Sequence, residues 1–314
     1  MLTRRHIRVK VLQSLYAYKN QEQANLQKEE KFLVNSMEKM LDLYLLMLSL
    51  MLAVRDQAEN FMELSKNKHL PTEEDISPSR NFIDNTVLNL LENDPSFINL
   101  VEKHKLNNWQ IDNEYPQIIS KELRKDTFYK EYLALKTPTL KQDKDFIIYF
   151  FKEVIAPNDK LYEYLEDSQL TWIDDFPIVN TAILKVLNSI KSETKPVKWT
   201  SGLFKNDDDK QFAGTLFKTT IQEEETLIQE IEGKTPNWDQ ERIAELDLII
   251  IKMALVEFLH FPSIPVKVTI NEYLEIAKEY STPKSSLFIN GLLDKISKDY
   301  SIANKINKTG RGLQ

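Results

Sequence analysis

The sequence predicts an all-α protein, and three observations carry that prediction. Only six of its 314 residues are glycine and none precedes Gly202, so the positive-φ positions that tight hairpins need are nearly absent. Residues 21–70 contain neither glycine nor proline. Elsewhere apolar residues recur every three to four positions between capping residues and prolines.

The first helix starts at the N-cap Thr3 and runs to about Asn20, with Ile7, Val11, Leu15 and Tyr18 on one stripe. From about Lys28 to Lys66 the pattern predicts one long apolar helix or a closely spaced pair. Its most lipid-like stretch, Leu43 to Val54, is too short to cross a bilayer and reads as buried core. A loop from Pro71 to Pro78 precedes helices over Arg80–Leu91, Ser96–Lys105 and Pro116–Leu135, with a break at Pro138. A further pair covers Lys144–Leu165 and Pro177–Lys191. Lys191 to Asp209 is polar, holds Pro196 and Gly202, and reads as a linker.

Four more helices follow, over Lys210–Glu232, Glu241–His260, Asn271–Tyr280 and Pro283–Asp299. Asn237 or Asp239 can cap the second. Thr269 with Glu272 forms a T-x-x-E capping box for the third. Thr282 before Pro283 supplies an N-cap and an N1 proline for the fourth. Close helix approach would justify Gly291 in mid-helix. The tail after about residue 300 has no apolar period and is expected to lack order.

A weak repeat runs through the chain. Asp143, Lys144, Phe146, Phe151, Lys152, Ile155, Leu161 and Trp172 recur 66 residues later as Asp209, Lys210, Phe212, Phe217, Lys218, Ile221, Leu227 and Trp238. Pro196-Val197-Lys198 recurs as Pro265-Val266-Lys267. This reads either as chance likeness between amphipathic helices or as a degenerate copy of one helical unit.

The same glycine shortage removes both G-x-G-x-x-G and G-x-x-x-x-G-K-[ST], and with them Rossmann, P-loop and kinase chemistry. With no cysteine there is no disulfide, thiolate metal site or thiol nucleophile, which fits a reducing compartment. His6, His69, His104 and His260 never pair at helical spacing, so no metal is expected. Glu257 and His260 are i, i+3 among core-like neighbours, which is thin support for acid–base catalysis. The N-terminus lacks the apolar core of an export signal.

Net charge is −7, but it is unevenly spread. Residues 1–20 carry +5 through Arg4, Arg5, Arg8, Lys10 and Lys19, and residues 295–314 carry +4. The remainder is acidic, so the two ends are expected to build a basic patch. Arg4, Arg5 and Arg8 share a stripe with Val11, Leu12 and Leu15, as if the first turns project beyond a bundle. Arginine suits phosphate oxygens and base stacking, with Tyr16 or His6 available to stack. The other reading is a solvated helix start. A second candidate is Ser281-Thr282-Pro283-Lys284-Ser285, whose hydroxyls, lysine and free N–H groups fit either an anion or ordinary capping.

Taken together, the two ends resemble the NusB transcription antitermination family. Arg4-Arg5-His6-Ile7-Arg8-x4-Gln13-Ser14-Leu15-Tyr16 is similar to that family's R-R-x-A-R-x4-Q-A-L-Y. Towards the end come Glu241-Arg242-Ile243 with Asp247 and Glu257, then Ile264-Pro265-Val266-Lys267-Val268-Thr269-Ile270-Asn271-Glu272 and Glu275-Ile276-Ala277-Lys278. Phe288-Ile289-Asn290-Gly291-Leu292-Leu293-Asp294 is similar to F-V-N-G-V-L-D. The resemblance divides the chain into a basic first helix (1–20), an insertion or duplicated helical unit (21–208), a NusB-like helical bundle (209–300) and a basic tail (301–314).

The resemblance implies NusB-like helical bundles with a large additional helical segment, no catalysis and no cofactor. It implies a cytoplasmic factor with no membrane and no small-molecule substrate. Its partners would be boxA-like single-stranded RNA, the ribosomal protein NusE and the RNA polymerase antitermination complex in ribosomal RNA transcription. RNA-binding would fall to Arg4, Arg5, His6, Arg8, Tyr16, Lys284, Phe288 and Asn290, and partner-binding to Glu241 and Asp247. His6 stands for the usual base, Ile7 for a small residue, and Lys284 where an acid is common. The alternatives are an RNA-binding module related to the N-terminal domains of ribosomal RNA methyltransferases, or a helical scaffold whose RNA site has been lost.

Overall fold

The computed structural model describes residues 2–67, 69, 72, 76–200, 202–204, 206–232, 234 and 243–309. Among the described residues there are helices and no β-strand. Helix α1 (Arg4–Lys19) opens with a capping box in which Thr3 accepts from the His6 N–H and the His6 ring accepts from the Thr3 N–H. Helix α2 (Leu26–Lys66) is one helix rather than a pair, because nothing between residues 21 and 70 breaks it. Then come α3 (Thr86–Glu92), α4 (Pro95–Lys103), α5 (Asn108–Ile111), α6 (Glu114–Leu123) and α7 (Thr127–Leu133). The helix expected over 116–135 is divided because the Asp126 side chain accepts from Tyr129 N–H and starts a new helix.

Helix α8 (Leu140–Tyr149) continues into a π-helical segment (Phe150–Ile155), followed by α9 (Asp159–Ser168), a 3₁₀ segment (Leu170–Asp175) and α10 (Phe176–Ser189). The last five helices are α11 (Asp207–Gln222), α12 (Glu224–Glu232), α13 (Glu245–His260), α14 (Val266–Tyr280) and α15 (Ser285–Ile302). No helix of the described residues is long and apolar enough to cross a membrane.

The chain forms two compact units, Met1–Met37 with Leu203–Gln314, and Glu38–Gly202. The first unit takes in the start of α2 as well as α1. There Leu33 and Met37 are buried and Glu30 pairs with Lys218 of α11 at 2.8 Å. Its centre is α13, whose residues from Ile249 to Phe258 are all buried, the all-round pattern of a core helix. Helices α1, α11, α14 and α15 pack on it, and α14 also packs on α15.

In the second unit Leu43 to Leu48 of α2 are all buried. Helices α3, α7 and α10 pack on α8. Asn85, itself fully buried, caps α3 through two N–H groups and donates to Tyr132 Oη and the Asp143 carbonyl. The polar stretch read as a linker is anchored here: Trp199 is buried and its carbonyl accepts from Tyr44 Oη at 2.5 Å.

The repeat has a counterpart in packing. Asp143 and Asp209, Phe146 and Phe212, Phe151 and Phe217, and Leu161 and Leu227 are all buried in their own units. Each aspartate also holds the start of another helix: Asp143 accepts from Thr86 N–H and Asp209 from Arg4 Nε, both at 2.9 Å. Trp238 lies outside the described residues.

Several local expectations are corrected. Thr269 and Glu272 do not cap α14, which begins three residues earlier after Pro265; inside the helix their side chains face other elements. Thr282 does not cap α15, whose N-cap is Lys284. Gly291 meets nothing within 4 Å of an added Cβ, so close helix approach is not its reason. The tail is held as far as residue 309: Thr309 N–H donates to the Pro262 carbonyl, and Lys308 Nζ donates to the carbonyls of Glu257 and Phe261, each at 2.9 Å. Those carbonyls belong to the end of α13, where a cation is favoured.

Candidate functional site

Helix α1 does not project from its unit. Leu2, Ile7, Arg8, Lys10 and Val11 are all buried, because α1 lies against α11, α13 and α14. Its first turns instead form one wall of a groove of about 530 Å³ lined by Thr3, Arg4, Arg5, His6 and Arg8. The other wall is the α13–α14 connection and the start of α14, from Ser263 to Pro265, with Val268 and Glu272.

Each arginine in this groove faces an acid. Arg8, expected as an RNA contact, is only 2% exposed and pairs with Glu257 through Nε at 2.8 Å and Nη2 at 2.7 Å. Glu257 also accepts from Thr269 Oγ1 at 2.7 Å and Tyr273 Oη at 3.2 Å. Burial lowers the Arg8 pKa, and the Glu257 hydrogen bonds and charge more than offset it, leaving the guanidinium firmly charged. Burial and the Glu257 charge push the Tyr273 phenol well above its ordinary value. The Arg8 guanidinium lies 5.3 Å from the Phe212 ring centre and 5.6 Å from that of Tyr273. A group so enclosed organises the groove from within and cannot reach a ligand outside it.

Arg5 is held by Glu272 through Nε at 3.0 Å and Nη2 at 2.8 Å, and Glu272 takes a longer 3.4 Å contact from Arg8 Nη1. The Arg5 hydrogen bond keeps the Glu272 carboxyl below its ordinary range. Among the described residues Arg4 bonds only through Nε, toward the buried Asp209, and stacks over Phe212 at 5.4 Å. Burial, then the Arg5 charge, lowers the His6 pKa; a neutral ring is what its acceptor role in the capping box requires. The basic patch anticipated from the charge distribution is therefore largely compensated in space.

The remaining residues lie elsewhere. Tyr16 is exposed, about 18 Å along α1 from Arg4 at 1.5 Å per residue. Lys284 and Asn290 are exposed and Phe288 is half-buried, none of them lining the groove. The anion site anticipated at residues 281–285 is filled from inside. Ser281 Oγ donates to Asp247 at 2.5 Å, and Thr282 and Ser285 share a 2.8 Å hydrogen bond. Asp247, expected on a partner surface, is buried there as the acid of a helix start. Glu241 lies outside the described residues. Glu257 and His260 are parted, His260 Nε2 meeting Glu223 at 2.9 Å. Among the described residues no group of three His, Asp or Glu is placed to hold a metal.

Sequence reasoning passed over Asp209, Val268 and Ser263 and gave Glu272 a capping role. The partners of Asp209 and Glu272 stand 205 and 267 positions away in the chain, so no local pattern reveals them.

Residues 182–298 match the NusB family model. Proteins named Transcription antitermination protein NusB are similar: that of Salinibacter ruber is 43% identical over 104 residues, 33% of this chain and 65% of that protein. That of Thermodesulfovibrio yellowstonii is 41% identical over 100 residues, 32% of this chain and 66% of its own length. That of Chloroherpeton thalassium is 38% identical over 104 residues, covering 33% and 49%. The chain thus spans about half to two thirds of the length of these relatives. No solved structure matches it. The match, the all-helical architecture and the order of the C-terminal motifs agree, and the C-terminal region of this chain is a NusB family domain.

Proposed function

We propose that this chain is a non-enzymatic, RNA-binding transcription antitermination factor of the cytoplasm, pairing with NusE on boxA-type RNA in ribosomal RNA transcription. The observation that carries the reading is the groove itself, where the first two arginines of α1 stand half-exposed against the start of α14 in the NusB domain. Arg4 keeps both terminal guanidinium nitrogens unbonded among the described residues, in the geometry that phosphate oxygens accept. His6 and Val268 supply a neutral ring and an apolar surface beside them for a base. Arg8 is a positioning residue that fixes α1 to α13. Tyr16, Lys284, Phe288 and Asn290 are proposed as flanking contacts, and Glu241 as a residue of the NusE side.

The test is a titration of boxA-type RNA with the full chain, with and without NusE, at two salt concentrations. Arg4→Ala with Arg5→Ala is expected to weaken binding at least tenfold and to flatten its salt dependence, since each lost phosphate contact removes about 0.7 from the log–log slope on single strands. Unchanged affinity with saturating NusE would sink the proposal.

A further inference from the structure

The two acids that meet the exposed arginines do so in different ways, and the difference gives them opposite roles. Asp209 is buried in the first turn of α11, where the Asn206 side chain caps the helix start by accepting from Asp209 N–H at 3.0 Å. Its carboxylate sits at the positive end of that helix, and it touches Arg4 only at Nε. That contact fixes the arginine from behind and leaves its outward edge open.

Glu272 is on the groove wall, with 22% of its side chain exposed, and it grips Arg5 by Nε and Nη2 together. This two-point edge is the one by which arginine recognises a phosphate. A carboxylate gripping it occupies the place a phosphate would take. Arg8 does not depend on Glu272, because it is already satisfied by Glu257 at shorter distances.

The geometry points to Glu272 as an internal competitor for RNA: it masks Arg5 in the free protein and must yield the guanidinium when a phosphate binds. Asp209, in contrast, presents Arg4. The inference rests on the RNA-binding reading of this groove. It makes the groove half-open at rest, with Arg4 ready for first contact and Arg5 engaging only against a competing charge. Weak or non-specific RNA then gains one arginine, and RNA that reaches deeper along the groove gains two.

The experiment compares the full chain with its Glu272→Gln, Asp209→Asn, Arg4→Ala, Arg5→Ala and Arg5→Ala/Glu272→Gln variants in titrations of one labelled boxA-type RNA at two salt concentrations. Glu272→Gln is expected to bind about three- to tenfold more tightly with a similar log–log salt slope, because the same phosphate contacts form without a carboxylate to displace from Arg5. The double variant is expected to bind no better than Arg5→Ala. Asp209→Asn is expected to bind no better than the parent, which separates release of Arg5 from the general loss of a negative charge. If Glu272→Gln melts well below the parent, Glu272→Asp, too short to span both guanidinium nitrogens, replaces it. Equal or weaker binding by the folded variant, or equal tightening by Asp209→Asn, overturns the inference. When Arg5→Ala loses affinity but Glu272→Gln gains none, the RNA reading stands and the masking role falls. When neither Arg4→Ala nor Arg5→Ala changes binding, the RNA reading itself falls.

Discussion

Arg8 of α1 and Glu257 of α13 meet through a two-bond fork, at 2.8 and 2.7 Å, with both side chains closed to solvent. The pair joins residues 249 positions apart, and Thr269 and Tyr273 of α14 complete its hydrogen bonding. Removing one partner strands a buried charge. Arg8→Ala is expected to cost about 3–5 kcal/mol, and Arg8→Met with Glu257→Leu less than the sum of the single changes. Urea unfolding followed by circular dichroism checks both; a loss below 1 kcal/mol for Arg8→Ala would contradict the arrangement.

In the second unit Asn85 has the corresponding structural weight. It caps α3 and bonds Tyr132 and the Asp143 carbonyl from a fully buried position. Asn85→Ala is expected to cost about 2–3 kcal/mol, from a lost cap and buried groups left unpaired. Because the chain has two compact units, the loss is expected in one phase of unfolding if the phases separate.

The Arg5–Glu272 pair predicts a pH effect at the acid end. The folded carboxyl lies below the ordinary glutamate value of 4.5. The pair's contribution is therefore complete above that value and lost as pH falls through the folded pKa. The stability difference between the parent and Glu272→Gln should be constant above about pH 5 and shrink below it. A difference that grows on acidification would reverse the sign and refute the assignment.

Lys308 predicts an effect at the alkaline end. Burial lowers its pKa to about 8 from the ordinary 10.5, the Glu257 charge opposing the shift. Between those values the unfolded chain binds more protons than the folded one, so stability rises with pH across that window. Lys308→Met is expected to lose that rise. Thermal melts across the window would show it, and an identical slope in both proteins would refute the prediction.

The helical class was legible because it depends on local terms. The absence of glycine and proline from 21–70 sets α2, and Thr3 marks the start of α1 by bonding an N–H a turn away. The single helix expected over Lys144–Leu165, in contrast, is divided where Asn158 caps a new one. Helix starts were misplaced where a side chain with local capping chemistry had a stronger remote partner, as with Thr269 on Glu257 and Glu272 on Arg5. The arginine-rich N-terminal segment was legible as a motif, but not which of its arginines faces outward.

By itself, the sequence determined that the chain is all-α, that phosphate-loop enzymes are excluded, and that its C-terminal motifs follow the order of the NusB family. These depend on residue type and short spacing, which the chain carries before it folds. Only the tertiary structure decided what the charge asymmetry means. The +5 of residues 1–20 suggests an open basic patch, yet folding brings Asp209, Glu257 and Glu272 against Arg4, Arg8 and Arg5. A guanidinium leaving water is stabilised by the nearest carboxylate in space, at whatever distance along the chain. The same N-terminal motif thus separates into Arg8 as a buried brace, Arg4 as a presented arginine and Arg5 as a masked one.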